Sequence, residues 1–88
     1  MPVISVLITR GHIPAEDLRE IADTINEDRQ KAGWRNAAGV YRFDGRLRLA
    51  IADKEAFAYI MQDPKGKERW DGAELKEIVV SSVKDIFG

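Results

Sequence analysis

The chain has 88 residues, 44% of them apolar and 33% charged, with a formal net charge of −1 and no cysteine. A chain of that size supports one hydrophobic core rather than two, so residues 1–88 are expected to form a single globular domain. The missing cysteines exclude disulfides, thiolate metal sites and a cysteine nucleophile, and the near-neutral charge provides no overall field to recruit nucleic acid or an acidic membrane surface.

The first predicted element is a strand over Val3 to Thr9. Ile4, Val6 and Ile8 alternate with Val3, Ser5, Leu7 and Thr9, and the run is rich in β-branched residues. It is too short to cross a bilayer and lacks the basic lead of a signal peptide, so the expected location is the cytoplasm. Gly11 and His12 turn the chain into a helix over about 14–32. Pro14 suits its first position, Glu16 and Asp17 complement the positive end of its dipole, and Gly33 is placed to end it in a left-handed conformation. Leu18, Ile21, Ala22 and Ile25 form its buried stripe, while Glu16, Glu20, Asp23 and Glu27 form a solvated acidic one.

A hairpin follows over 39–52. Tyr41 and Phe43 on one arm and Leu47, Leu49 and Ile51 on the other are its apolar residues. A two-residue Asp44-Gly45 turn would put these two sets on opposite faces, so a three-residue loop or a bulge is expected, pairing Phe43 with Leu47 and Tyr41 with Leu49. That register sets Arg42 opposite Arg48, a like-charge pair on the outer face that an anion or an acidic partner would relieve. Asp53 then caps a short helix over 54–62 that buries Phe57, Ile60 and Met61, and Asp63-Pro64 ends it.

The last segment has two readings. Ile78, Val79 and Val80 have strand composition, and a strand there would complete a βαββαβ, ferredoxin-like order. Leu75, Ile78, Val79, Ser82, Val83, Ile86 and Phe87 instead fit one helical face, with Asp71 and Glu74 as a capping box and Trp70 as a staple. The helix, over 72–87, is the one expected. The fold is therefore α+β, ordered βαββαα, a ferredoxin-like relative whose last strand is replaced by a helix. Its three-stranded sheet joins the hairpin to the strand over 3–9, and an apolar core gathers the residues named above.

Catalytic signatures are sparse. His12 is the only histidine, no glycine-rich phosphate loop is present, and Asp23, Glu27 and Asp28 lack calcium-loop spacing, so neither a metal nor a cofactor is expected. Pro2 is the exception. Removal of Met1 would leave a secondary amine at the start of a strand, a group suited to act as general base or nucleophile. With the strand Val3 to Thr9 and Gly11 after it, this N-terminal quarter resembles the tautomerase superfamily. The resemblance implies an enzyme using Pro2 with arginines toward the substrate; Arg10, Arg42 and Arg48 are the candidates to bind a carboxylate, and none of them is matched by motif. The resemblance ends at Gly11, because that family continues to a second long parallel strand and this chain to a tight hairpin.

The leading expectation is a small non-enzymatic protein-interaction module of adaptor or inhibitor type. It would act through Arg42, Arg46, Arg48, Val3 and Leu7 on the outer sheet face, or through an open edge of the first strand that also favours a homodimer. The alternatives are a tautomerase-like enzyme using Pro2 and weak nucleic-acid binding by Arg42, Arg46 and Arg48 with Lys65, Lys67 and Arg69. The acidic first helix and the scarcity of exposed aromatics argue against nucleic acid.

Overall fold

The computed structural model describes residues 1–33, 36–52, 54–61, 70 and 72–87. Strand β1 (Val3–Ile8) leads to helix α1 (Ala15–Gln30), the hairpin of β2 (Ala38–Phe43) and β3 (Arg46–Ile51), and helix α2 (Lys54–Met61). Strand β4 (Glu74–Val79) and the terminal helix α3 (Lys84–Phe87) complete the order. The four strands make one antiparallel sheet, β2-β3-β1-β4. The α+β class is as expected, with a fourth strand where the sequence pattern favoured a long C-terminal helix.

That difference has a physical cause. β1 pairs with β3 on one side, and a helix over 72–87 would have left its other side without partners. β4 fills it along the whole strand, from Val3 opposite Val79 to Ile8 opposite Glu74. Satisfying that row of backbone groups outweighs the local helical spacing of Leu75, Ile78 and Val79. Gly72 has φ +71, a left-handed turn residue at the position where the helix was expected to begin. The Ala73 N–H donates to the Trp70 carbonyl to close that turn. The supposed staple residue Trp70 lies in the core, and the expected cap Asp71, like Asp53 for the second helix, is outside the described residues. Of the expected helix only Lys84–Phe87 forms. The two sheet edges are therefore β2 and β4, and β1, expected to be an open edge, is central.

The hairpin register also differs from expectation. Phe43 is opposite Arg46, Arg42 opposite Leu47 and Tyr41 opposite Arg48, so Asp44 and Gly45 alone make the turn. Both have positive φ, 53° and 74°, as a type I′ turn requires, and its twist matches that of the strands it joins. The apolar residues of the two arms consequently face opposite sides, and each side has its own core. Leu7, Leu49, Ile51 and Ala38 lie under α1 and α2, packed with Leu18, Ala22, Ile25, Ala56, Ile60 and Trp70. On the second face Ile4, Val6 and Ala50 pack with Val80 and Phe87, and Tyr41, Phe43, Ile78 and Ile86 flank them. Val79 is 60% exposed and Val83 36% exposed, so neither belongs to the core as the helical reading required.

α1 reproduces its sequence signals. Leu18, Ala22 and Ile25 are buried, Glu16, Glu20, Asp23 and Glu27 are exposed, and Gly33 follows with φ +93. A residue without a sequence signal joins this helix to the sheet. The Asn26 side-chain oxygen accepts hydrogen bonds from the backbone N–H groups of Ala37 (2.7 Å) and Ala38 (2.8 Å), and its amide nitrogen donates to the Ala38 carbonyl (2.9 Å). The Ala52 N–H in turn donates to the Ala37 carbonyl, so the start of β2 is held from both sides. Next to Ala38, on the opposite face of the sheet, lies Gly39. A Cβ there would lie 2.5 Å from the Ile86 carbonyl oxygen, so the missing side chain is what admits α3.

Asn26→Ala leaves three part-buried backbone groups without partners and is expected to cost about 2–3 kcal/mol, read as a lower urea midpoint at unchanged slope. Asn26→Asp keeps the acceptor but loses the donor and is expected to recover only part of that loss. Gly39→Ala meets a backbone atom rather than a flexible side chain. It is expected to cost about 1–3 kcal/mol and to make α3 the first site cut in limited proteolysis.

Candidate functional site

Strand alternation and the observed register decide which side chains share the second sheet face. β2 contributes Tyr41 and Phe43, β3 contributes Arg46 and Arg48, and β4 contributes Lys76 opposite Val6 and Glu74 opposite Ile8. The half of this face nearer Ile4 and Ala50 is capped by Val80 and Phe87. The half toward the hairpin turn carries Tyr41, Phe43 and Arg48, all half-buried, with Arg46 and Lys76 exposed. Lys76 reaches over the two central strands to place Nζ 5.5 Å from the centroid of the Phe43 ring. That distance is within the range of a cation–π contact, so a cation sits over the face rather than at its rim. Arg48 Nε is buried and has no acceptor among the described residues.

The residues expected to make the outer face are not brought together. Arg48 and Arg46 are on the second face, but Val3, Leu7 and Arg42 are on the face that α1 and α2 cover. Leu7 is a core residue at 1% exposure, whereas Val3 is 54% exposed where the helices no longer reach. Arg42 faces Leu47, not Arg48, and its guanidinium donates to the Gly45 carbonyl at 3.2 Å, bracing the hairpin turn. The like-charge cross-strand pair therefore does not form. Lys65, Lys67 and Arg69, the other half of the expected basic surface, are outside the described residues.

Pro2 stands apart from every arginine proposed to accompany it. Its carbonyl accepts from the Val80 N–H at 2.9 Å, which places it at the α3 end of the sheet. Arg10 follows the far end of β1, and antiparallel pairing puts Arg48 and Arg42 at that far end also. At roughly 3.3 Å per residue the separation along the strand is about 20 Å. His12 is exposed, and among the described residues no group of acidic and histidine side chains could hold a metal ion.

A second feature opens where β1 and β3 part. Their register ends with Leu7 opposite Leu49, so Leu47 has β2 on one side and no strand on the other. The gap is a small cleft open to solvent, lined by Leu7, Ile13, Leu18, Leu49, His12 and Trp70 among others. Trp70 is 1% exposed, and its indole N–H has no acceptor among the described residues. Lys76 does not stand out by sequence spacing, and Trp70 stands out only as the staple of a helix that does not form there. The usable signal was Asp71-Gly72, a turn dipeptide that ends the polar run before a β-rich stretch and so argues for a strand with Trp70 just ahead of it.

No family model matches the chain, and no curated protein or solved structure matches it. Among the described residues no helix is long and apolar enough to cross a membrane.

Trp70→Phe removes the unpartnered N–H along with some core volume. The two effects oppose each other at about 1–3 kcal/mol each, so the variant is expected to unfold within about 1 kcal/mol of the parent in urea.

Proposed function

We infer that the protein is a small non-enzymatic interaction module of adaptor or inhibitor type, and that its contact surface is the open half of the second sheet face. The observation that carries this reading is the grouping of Tyr41, Phe43, Arg46, Arg48 and Lys76 on one face, with a buried Arg48 N–H that nothing among the described residues accepts. Two rings and three cations, with Glu74 the one acid among the described strand residues that share the face, suit a protein surface that presents carboxylates around an apolar centre. Aromatic and arginine side chains of this kind supply most of the energy at protein interfaces. A second copy of the chain is one such partner, since α1 exposes Glu16, Glu20, Asp23 and Glu27.

The same grouping favours a second reading. Rings and cations on an open sheet face also stack and hold single-stranded nucleic acid, as the Arg-rich hairpin suggested. Salt dependence separates the two, because phosphate contacts weaken steeply as salt rises.

The test compares the parent chain with Arg48→Glu and Tyr41→Ala. Both variants are expected to keep the parent melting temperature within a few degrees, and both are expected to lose the partner that the parent retains on an affinity column. Equal retention by all three proteins, or loss of folding on charge reversal, overturns the choice of face. Light scattering on a sizing column reads self-association, and a strict monomer at high concentration removes the second copy as the partner. Salt-sensitive binding of a single-stranded oligonucleotide by the parent, lost in Tyr41→Ala, would install the nucleic-acid reading instead.

A further inference from the structure

The open half of the second sheet face and the acidic line of α1 are complementary surfaces on opposite sides of one molecule. Leu18, Ala22 and Ile25 of α1 pack onto the first sheet face. Glu16, Glu20, Asp23 and Glu27 recur at intervals of four, three and four residues, which puts them on one line opposite that buried stripe, and all four are exposed. The line is about 16 Å long at a rise of about 1.5 Å per residue. Arg19, an exposed cation of the same helix, lies to one side of it.

On the other side of the sheet the sign is reversed. Arg46 and Arg48 are successive side chains of β3 on that face, about 7 Å apart. Lys76 crosses the two central strands to hold Nζ 5.5 Å from the centroid of the Phe43 ring. The three cations thus converge beside Tyr41 and Phe43, with Glu74 the one acid among the described strand residues that share the face. Neither surface uses its charges internally. Among the described residues no ion pair forms to Glu16, Glu20, Asp23, Glu27, Arg46 or Lys76. The separations also agree. Acids four residues apart on α1 are about 6 Å apart along the helix axis, close to the spacing of the two arginines, so a helix laid along β3 sets successive acids against successive cations. Tyr41 and Phe43 supply the apolar bed that the methylene stems of those glutamates cover.

We propose that the occupant of this face is a second copy of the chain, which docks the acidic line of its α1 along β3 over Arg46, Arg48 and Lys76. The inference rests on the reading of that face as the contact surface and adds its occupant. Because the two surfaces point away from each other, one pair of molecules makes the contact once and not twice. The contact is therefore heterologous, and copies in one orientation stack with an acidic line free at one end and a cationic face free at the other. Exposed ion pairs are individually weak and screened by salt, so the stack forms at high protein and low salt concentration.

Sedimentation equilibrium over a range of protein concentrations, in about 20 mM and about 500 mM salt, tests the assignment. The parent is expected to grow beyond two copies with concentration in low salt and to return to monomer in high salt. Arg46→Glu with Lys76→Glu reverses two exposed cations, and Glu20→Lys with Glu27→Lys reverses two exposed acids. Each double variant is expected to stay monomeric alone. Their equimolar mixture is expected to associate, since the intact acidic line of the first meets the intact cationic face of the second. Where a reversal alters the circular dichroism spectrum, the neutral pairs Arg46→Gln with Lys76→Gln and Glu20→Gln with Glu27→Gln replace it and are expected to weaken association about threefold to tenfold. A parent that stays monomeric at millimolar concentration in low salt, a mass that stops at two copies, a double variant that associates like the parent, or a mixture that stays monomeric overturns the proposal. A monomeric parent that still retains a partner through Arg48 and Tyr41 on the affinity column overturns this occupant alone, whereas equal retention by those variants overturns the face itself.

Discussion

The positive φ angles of Asp44 and Gly45 decide more about this molecule than any single side-chain contact. A two-residue turn leaves no room for an extra residue, so each arm of the hairpin keeps strict alternation with the other. Tyr41 and Phe43 then share a face with Arg46 and Arg48, while Leu47, Leu49 and Ile51 go to the other. One turn thereby gives the sheet two apolar faces rather than one, and a one-residue change in that loop would exchange every side chain on one arm. The mixed aromatic and cationic surface is a direct product of that register.

A sheet apolar on both faces must be covered on both, and the chain uses unequal means. α1 and α2 cover one face with a full layer containing Leu18, Ile25, Ala56 and Ile60. The other receives only Val80 and α3, a helix of four residues whose Phe87 closes over Ile4, Val6 and Ala50. This short cap requires the missing side chain at Gly39, since its backbone approaches the Ile86 carbonyl. The unequal cover explains why Tyr41, Phe43 and Arg48 remain half-exposed near the hairpin turn. Asn26 complements it from the other side, fixing where β2 begins relative to α1 by three hydrogen bonds to two adjacent residues.

The position of β1 illustrates how nonlocal pairing overrides local pattern. Both faces of Val3–Ile8 are largely apolar, which in the sequence suited a central strand or one meeting a partner. A helical C-terminal segment would leave that strand with an open edge. In the structure β4 supplies that partner, and the edge passes to Glu74–Val79, whose Glu74, Lys76 and Glu77 are exposed charges that discourage further strand pairing. The helical match of Leu75, Ile78 and Val79 came from a short run in an edge strand, where only Leu75 and Ile78 are partly covered and alternation is diluted.

What the sequence determined by itself are the features set by local chemistry. These include the first strand, the acidic and apolar stripes of α1, the left-handed Gly33, the positions of both hairpin arms and the second helix. Each depends on residues within a few positions of one another, so periodicity, capping and turn residues suffice to read it. The turn type is also written in Asp44-Gly45, although the apolar residues of the two arms, taken alone, favour a single face. Only the tertiary structure decided that both faces would be buried, that β1 would gain β4, and that Lys76 would reach Phe43 from the far edge strand. It also placed Trp70 beside the cleft, its N–H without an acceptor among the described residues. Those outcomes join residues far apart in sequence, and the free energy that selects them comes from burial and backbone pairing across the sheet, which no local pattern encodes.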